Sequence, residues 1–112
     1  MTTPKEYNQP LLTVIETPLF SKLWPAYWTE DERGAFAAFI AANPDIGDVV
    51  ASSGGVRKVR WSRAGSGKSG GVRVIYFVRN RAGELVMMFI YAKANLDTLK
   101  ASTLKEMRNA VE

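Results

Sequence analysis

Three cations on two neighbouring strand-like segments are the residues of this sequence best suited to chemistry. Lys58 and Arg60 are two positions apart in one segment, and Arg73 is close to the start of the next. Side chains two apart on a strand leave the same face, roughly 7 Å from each other. Tyr91 and Lys93 share a face at the end of a third segment. A sheet face with several cations and a phenol suits the cleavage of RNA without histidine.

Cleavage of this kind is the attack of a ribose 2′-hydroxyl on its own 3′-phosphate. It needs a base for the hydroxyl, stabilisation of the charge on the phosphorane, and an acid for the departing 5′-oxygen. Crowding of like charges favours a neutral amine, which makes Lys58 a candidate base. Arginine stays protonated and can bind phosphate through two donors, while a tyrosine or a lysine can donate the last proton. Binding of nucleic acid without cleavage needs the same cations, so the residues alone leave both functions open.

Positive charge is concentrated in the middle of the chain. Residues 54–73 hold six cations, no acid and six of the nine glycines. Residues 49–83 hold eight cations and no acid, so the rest of the chain is net negative although the whole has a charge of +4. Such a basic face is typical of nucleic-acid binding, and Arg57, Arg63 and Lys68 are further candidates for phosphate contacts. A solvated basic sheet edge that discourages aggregation is the alternative.

The composition excludes several classes of site. The 112 residues fit one domain, and 46% of them are hydrophobic, which is sufficient for a single core. Neither cysteine nor histidine is present, which excludes a disulfide framework, a catalytic serine–histidine pair and most zinc sites. We expect no metal and no cofactor. No apolar run is long enough to span a membrane and the N-terminus lacks a signal-peptide pattern, so we expect a cytoplasmic protein without a membrane partner.

The N-terminal half predicts one strand and two helices. Residues 1–10 contain two prolines and few apolar side chains, so we expect a flexible segment. Residues 11–16 are apolar and β-branched, which indicates a strand. An amphipathic turn follows at residues 20–24. Thr29 and Glu32 then form a capping box at the start of the second helix.

The C-terminal half predicts a three-stranded antiparallel meander and a final helix. Residues 45–55 are rich in turn signals and predict a connection. The strands are expected at residues 56–63, 72–79 and 84–92, and apolar residues then recur at helical spacing to the end of the chain. Residues 11–112 are therefore predicted to form a single α+β domain, with the helices on one face of the sheet and the cations on the other, open face.

The segment GSGKSG at residues 65–70 matches two nucleotide-binding motifs that we reject. A dinucleotide-binding glycine motif must follow a strand and open a helix, whereas a strand of the same meander follows here. A phosphate-binding P-loop needs a glycine five positions before Gly67, and Ser62 occupies that position. The loop can still contact phosphate through Lys68 and its glycine amides.

Three stretches of the sequence carry a family resemblance: GDVV at residues 47–50, GGVRKVRWSRAGSGKSGGVRVIYF at residues 54–77 and IYAK at residues 90–93. In order and spacing they resemble the RelE superfamily of toxins from bacterial type II toxin–antitoxin systems, and within it the HigB branch. The resemblance extends over about residues 11–100. It implies a RelE/ParE-like α+β fold with an N-terminal strand, two helices, a three-stranded antiparallel meander and a C-terminal helix.

The same resemblance implies an activity and partners. It implies a ribosome-dependent endoribonuclease that cuts mRNA in the decoding site and inhibits translation, with a cognate antitoxin that in this branch typically carries a helix-turn-helix domain. The paired basic residues of such sites fall on Lys58 and Arg60, the arginine of the next strand on Arg73, and a later basic residue near Lys93. RelE also uses a tyrosine in its C-terminal helix. No tyrosine follows Tyr91 here, so that role is vacant or moves to Tyr91 or Lys93.

Two other functions stay open. One is the ParE-like role on the same fold, which is the binding of a protein target such as DNA gyrase without cleavage of RNA. The other is a non-catalytic protein that binds only RNA or an antitoxin. The density of cations in residues 57–73 favours RNA as the target.

Overall fold

A computed structural model of the chain describes residues 12–62, 71–92 and 100–111. The predicted flexible segment of residues 1–10 lies outside these ranges. In chain order the described elements are β1 Thr13–Glu16, α1 Pro18–Leu23, a 3₁₀ turn Trp24–Ala26, α2 Glu30–Ala42, β2 Asp48–Val49, β3 Arg57–Trp61, β4 Val72–Arg79, a 3₁₀ turn Asn80–Ala82, β5 Glu84–Ala92 and α3 Ala101–Val111.

Side chains that satisfy backbone amides fix the starts of α1 and α2. The Thr17 hydroxyl accepts a hydrogen bond from the Phe20 amide, and a proline occupies the first position of α1. The predicted capping box of α2 is present. Glu32 donates its amide to the Thr29 hydroxyl at 3.2 Å, and the Thr29 amide donates to the Glu32 carboxylate at 2.8 Å.

The described strands form one sheet in the order β1-β5-β4-β3-β2. Strands β3, β4 and β5 form the predicted antiparallel meander, and β1 pairs in parallel with β5 at one edge. Strand β2, at the opposite edge, pairs antiparallel with β3. The sequence predicted only a connection there, because a strand of two residues is too short to show alternation.

Helices cover both faces of this sheet, so the prediction of one covered face was wrong. Helices α1 and α2 pack on the first face, whose core includes Phe20, Phe36, Ile40, Val59, Val74, Tyr76 and Met87. Helix α3 packs on the second face, whose core includes Val56, Ile75, Phe77, Val86, Met88 and Leu104. The central strands β4 and β5 are apolar on both sides for this reason.

A fully buried phenol anchors the turn that leads into β2. The Tyr76 hydroxyl donates to the Pro44 carbonyl at 2.7 Å and accepts from the Gly47 amide at 3.0 Å. A Cβ atom at Gly47 would lie 2.9 Å from that hydroxyl, so the turn approaches the phenol closely only because residue 47 is glycine. Burial raises the pKa of Tyr76 above its ordinary value of 10.0.

Replacing Tyr76 with phenylalanine should destabilise the protein at neutral pH by about 1–3 kcal/mol, because the Gly47 amide loses a buried partner. The substitution should also make the free energy of unfolding fall less steeply as the pH rises above about 10. The pKa of Tyr76 is higher in the folded than in the unfolded state, so its contribution is complete below about pH 10 and decreases as the pH rises further. Urea unfolding of both proteins across this range measures the two effects. Equal alkaline slopes would contradict the assignment.

Candidate nucleic-acid interface

Three of the five predicted catalytic residues form a row across three adjacent strands on the second face of the sheet. Arg60 lies directly opposite Arg73 in the β3–β4 ladder, and Arg73 lies directly opposite Tyr91 in the β4–β5 ladder. Directly opposite residues project from the same face, with Cβ atoms about 4.5–5.5 Å apart. We call Arg60, Arg73 and Tyr91 the basic row.

The ladder places two arginines, Arg60 and Arg73, directly opposite each other. Like charges at directly opposite positions destabilise a sheet. Arg60 is exposed and Arg73 is half-buried, so both lie where a ligand in solution can reach them. A phosphate bound between them would remove the repulsion and receive donors from two guanidinium groups.

A second row lies two residues further along the same strands. Lys58 lies opposite Ile75, and Ile75 lies opposite Phe89. At the outer edge Asp48 of β2 lies opposite Lys58. Lys58 and Arg60 therefore share a face, as their spacing predicted. Asp48 is a neighbour that sequence reasoning missed, because its position depends on the pairing of β2.

A β-bulge in β5 determines the face on which Tyr91 lies. The register of β4 and β5 shifts between Ile75 and Tyr76, and Met88 is the extra residue of β5. Strict alternation from Val86, which packs on the second face, would place Tyr91 on the first face. The extra residue reverses the alternation and brings Tyr91 to the second face, beside the arginines. Bulges next to active sites commonly redirect a side chain in this way.

The environment of Tyr91 favours its protonated form. Only 5% of the residue is exposed, and this burial raises its pKa above 10.0, while the charge of Arg73 acts in the opposite direction. The phenol is therefore protonated at neutral pH. A protonated phenol in this position is suited to donating a proton to a leaving group, not to accepting one.

Comparison with known proteins identifies the fold. No protein-family model matches the chain. Among solved structures, it is similar to a free mutant of the Escherichia coli toxin RelE in which two arginines are replaced by alanine. The TM-score is 0.61 at 11% sequence identity, with 91% of this chain and 98% of that chain covered. The chain has the RelE fold. The predicted fold class is therefore confirmed, whereas the HigB branch stays a prediction.

Within the RelE fold, two residues near the cations lie on the first face. Arg57 donates to the Gly47 carbonyl at 2.7 Å and to the Asp45 carbonyl at 3.2 Å, and it forms an ion pair with the Asp45 carboxylate at 3.6 Å. These contacts hold the turn before β2, and an RNA contact of Arg57 stays a prediction. Trp61 packs its ring against Phe39, with ring centres 4.9 Å apart, so it belongs to the core that α2 covers.

Three predicted site residues lie outside the described part of the chain. They are Arg63, Lys68 and Lys93, and their roles stay predictions. Among the residues that the structure describes, no group of three acidic side chains could hold a metal ion. Nor does any helix in these ranges have the length and apolar character needed to cross a membrane.

Proposed function

We propose that this chain is the toxin of a type II toxin–antitoxin system and an endoribonuclease that cleaves mRNA on the ribosome. The observation that carries the proposal is the basic row of Arg60, Arg73 and Tyr91 on one face of a RelE fold. The fold supports the toxin class because the similar solved structure is named a toxin. The row supports cleavage because it combines phosphate donors with a protonated phenol.

The proposed reaction is an internal displacement at phosphorus. The 2′-oxygen of a ribose attacks the adjacent phosphorus, the bond from phosphorus to the 5′-oxygen breaks, and a 2′,3′-cyclic phosphate and a 5′-hydroxyl result. Arg60 and Arg73 bind the non-bridging oxygens and stabilise the charge that develops on the phosphorane. Tyr91 donates its proton to the departing 5′-oxygen. Lys58 in the second row and Lys93 are the candidates for the base that accepts the 2′-proton.

The finer features of the proposal rest on the sequence motifs. They are membership of the HigB branch, action on mRNA in the decoding site within the cytoplasm, and neutralisation by an antitoxin with a helix-turn-helix domain. Arg57, Arg63 and Lys68 add phosphate contacts along the RNA backbone in this proposal. Since the chain has no histidine, any proton transfer by its own side chains uses lysine, arginine, tyrosine, aspartate or glutamate.

Controlled expression of the chain in bacteria, with and without a co-expressed antitoxin, tests this function. Mapping of mRNA 5′ ends on ribosomes should show new ends inside coding regions, phased with codons and bearing 5′-hydroxyl groups. The antitoxin should abolish them. Growth arrest with intact mRNA and induced DNA damage would instead indicate a gyrase-binding toxin. An absence of both toxicity and cleavage would indicate a non-catalytic protein that binds only RNA or an antitoxin.

Removing the charge of Asp48 should strengthen RNA binding. The carboxylate is exposed at the sheet edge opposite Lys58, where it offsets positive charge near the phosphate contacts. Asp48→Asn should raise the affinity for single-stranded RNA roughly two-fold to five-fold, and the gain should shrink as salt rises. Fluorescence anisotropy in a salt series measures both. Asp31→Asn removes an exposed carboxylate from the start of α2 and should leave the affinity unchanged; an equal gain from both variants would contradict a local effect.

A further inference from the structure

Phe89 is an aromatic residue of the second face that the proposed catalysis does not use. It lies in the second row, opposite Ile75, which in turn is opposite Lys58. The centre of its ring is 5.8 Å from that of Tyr91, and the two ring planes are inclined at 37°. Tyr91 is buried, so Phe89 is the partly exposed member of this aromatic pair.

The bulge in β5 separates a core residue from an accessible one on the same face. Met88 and Phe89 are consecutive, yet both project toward the second face because Met88 is the extra residue. Met88 is 1% exposed and fills the core beneath α3, whereas Phe89 is only partly buried. Phe89 packs against this core and remains partly exposed next to the basic row.

We propose that the partly exposed ring of Phe89 is a stacking platform for a base of single-stranded RNA, next to the phosphate that Arg60 and Arg73 bind. The proposal rests on the proposed function, which supplies RNA as the ligand. Every nucleobase has a flat face that stacks on an aromatic ring, and the contribution of one such contact is roughly five-fold to a hundred-fold in affinity. An aromatic platform beside a cationic row is the combination by which single-stranded nucleic acids are held.

The geometry assigns separate tasks to the two rows. The basic row binds the phosphate to be cut, and the second row receives the base of a neighbouring nucleotide on Phe89. The platform holds the nucleotide in place by stacking, whereas the arginines hold it by charge.

Two oligonucleotides that cannot be cut test the platform independently of catalysis. One is a 2′-O-methyl RNA, and the other has the same length, backbone charge and 2′-O-methyl groups but lacks the bases. Wild-type protein should bind the base-bearing strand roughly ten-fold more tightly than the abasic strand. Phe89→Leu should bring this ratio close to one without changing the affinity for the abasic strand. Phe89→Trp should restore the ratio.

A matched variant and a folding measurement keep the test decisive. Phe39→Leu removes a partly buried ring from the first face and should leave the ratio as in wild type. Urea unfolding establishes that Phe89→Leu is folded under the binding conditions, and Phe89→Trp keeps the position aromatic. The proposal would be overturned if wild-type protein bound the base-bearing and abasic strands equally well. It would also be overturned if folded Phe89→Leu kept the wild-type ratio of the two affinities. Since neither strand can be cut, that result leaves ribosome-dependent cleavage, and hence the proposed function, to its own experiment.

Discussion

Replacing Arg73 with alanine should slow RNA cleavage by about a hundred-fold to a thousand-fold, which is the usual cost of losing one donor to the transition-state charge. Arg73 is the middle residue of the basic row, with Arg60 on one side and Tyr91 on the other. Burial raises the pKa of Tyr91 and the charge of Arg73 lowers it, so the substitution also makes the phenol a weaker acid. Both effects slow the reaction. Single-turnover cleavage of ribosome-bound mRNA by the purified protein measures the change.

A matched control separates this effect from a general loss of charge. Arg81→Ala removes the same charge from an exposed position in the turn Asn80–Ala82, which follows the opposite end of β4. It should leave the cleavage rate within about two-fold, since an exposed charge at that distance is largely screened by salt. Arg73→Lys should recover part of the rate, because lysine keeps the charge but not the paired donors. Equal losses in Arg73→Ala and Arg81→Ala would show that the row has no special role.

Replacing Gly71 with alanine should lower the free energy of unfolding by about 2–4 kcal/mol. Gly71 has a φ of +58° immediately before β4, and an added Cβ would collide with the Trp61 carbonyl oxygen and would lie 2.6 Å from the Ser62 hydroxyl. The left-handed backbone costs an alanine roughly 1–2 kcal/mol, and the backbone carbonyl cannot move away as a side chain can. Since Arg73 is two residues further on, the folded variant should also cleave RNA poorly.

Two other glycines provide controls for Gly71. Gly83 has a φ of +66° with open space where a Cβ would lie, so Gly83→Ala should cost only the backbone strain of about 1–2 kcal/mol. Gly34 lies inside α2 with nothing near its added Cβ, so Gly34→Ala should stabilise the protein by about 0.5–1 kcal/mol. Urea unfolding of the three variants measures these values. A Gly71→Ala protein as stable as Gly83→Ala would exclude the collision.

Local signals account for the parts of the fold that the sequence predicted. The capping box at Thr29 marks the start of α2, and the runs of strand-forming residues at 72–79 and 84–92 match the bounds of β4 and β5. The edge strands depend instead on partners that are distant in the chain, so the parallel pairing of β1 and the presence of β2 could not be derived from local pattern. The apolar character of both sides of β4 is the signal from which two covered faces could have been derived, although we predicted only one.

The sequence predicted only those features of the candidate site that depend on side-chain alternation within a single strand. Lys58 and Arg60 share a face because they are two apart, which the sequence shows directly. That Arg73 lies directly opposite Arg60 depends on the register between β3 and β4, and the long connection of residues 62–71 is not a tight turn that would fix this register. The bulge at Met88 lies in an uninterrupted apolar run, so the pattern carries no signal of where the alternation reverses.

The bulge gives β5 two phases of side-chain alternation along one strand. Up to Met88 the strand follows the phase set by the core beneath α3, and after it the strand follows the phase set by the basic row. The same sequence paired without a bulge would keep one phase throughout, turning the Tyr91 ring toward the first-face core and Ile90 toward the arginines. Met88, which has no pairing partner in β4, thus reverses the side-chain alternation of β5. One strand can therefore contribute both to the core beneath α3 and to the basic row.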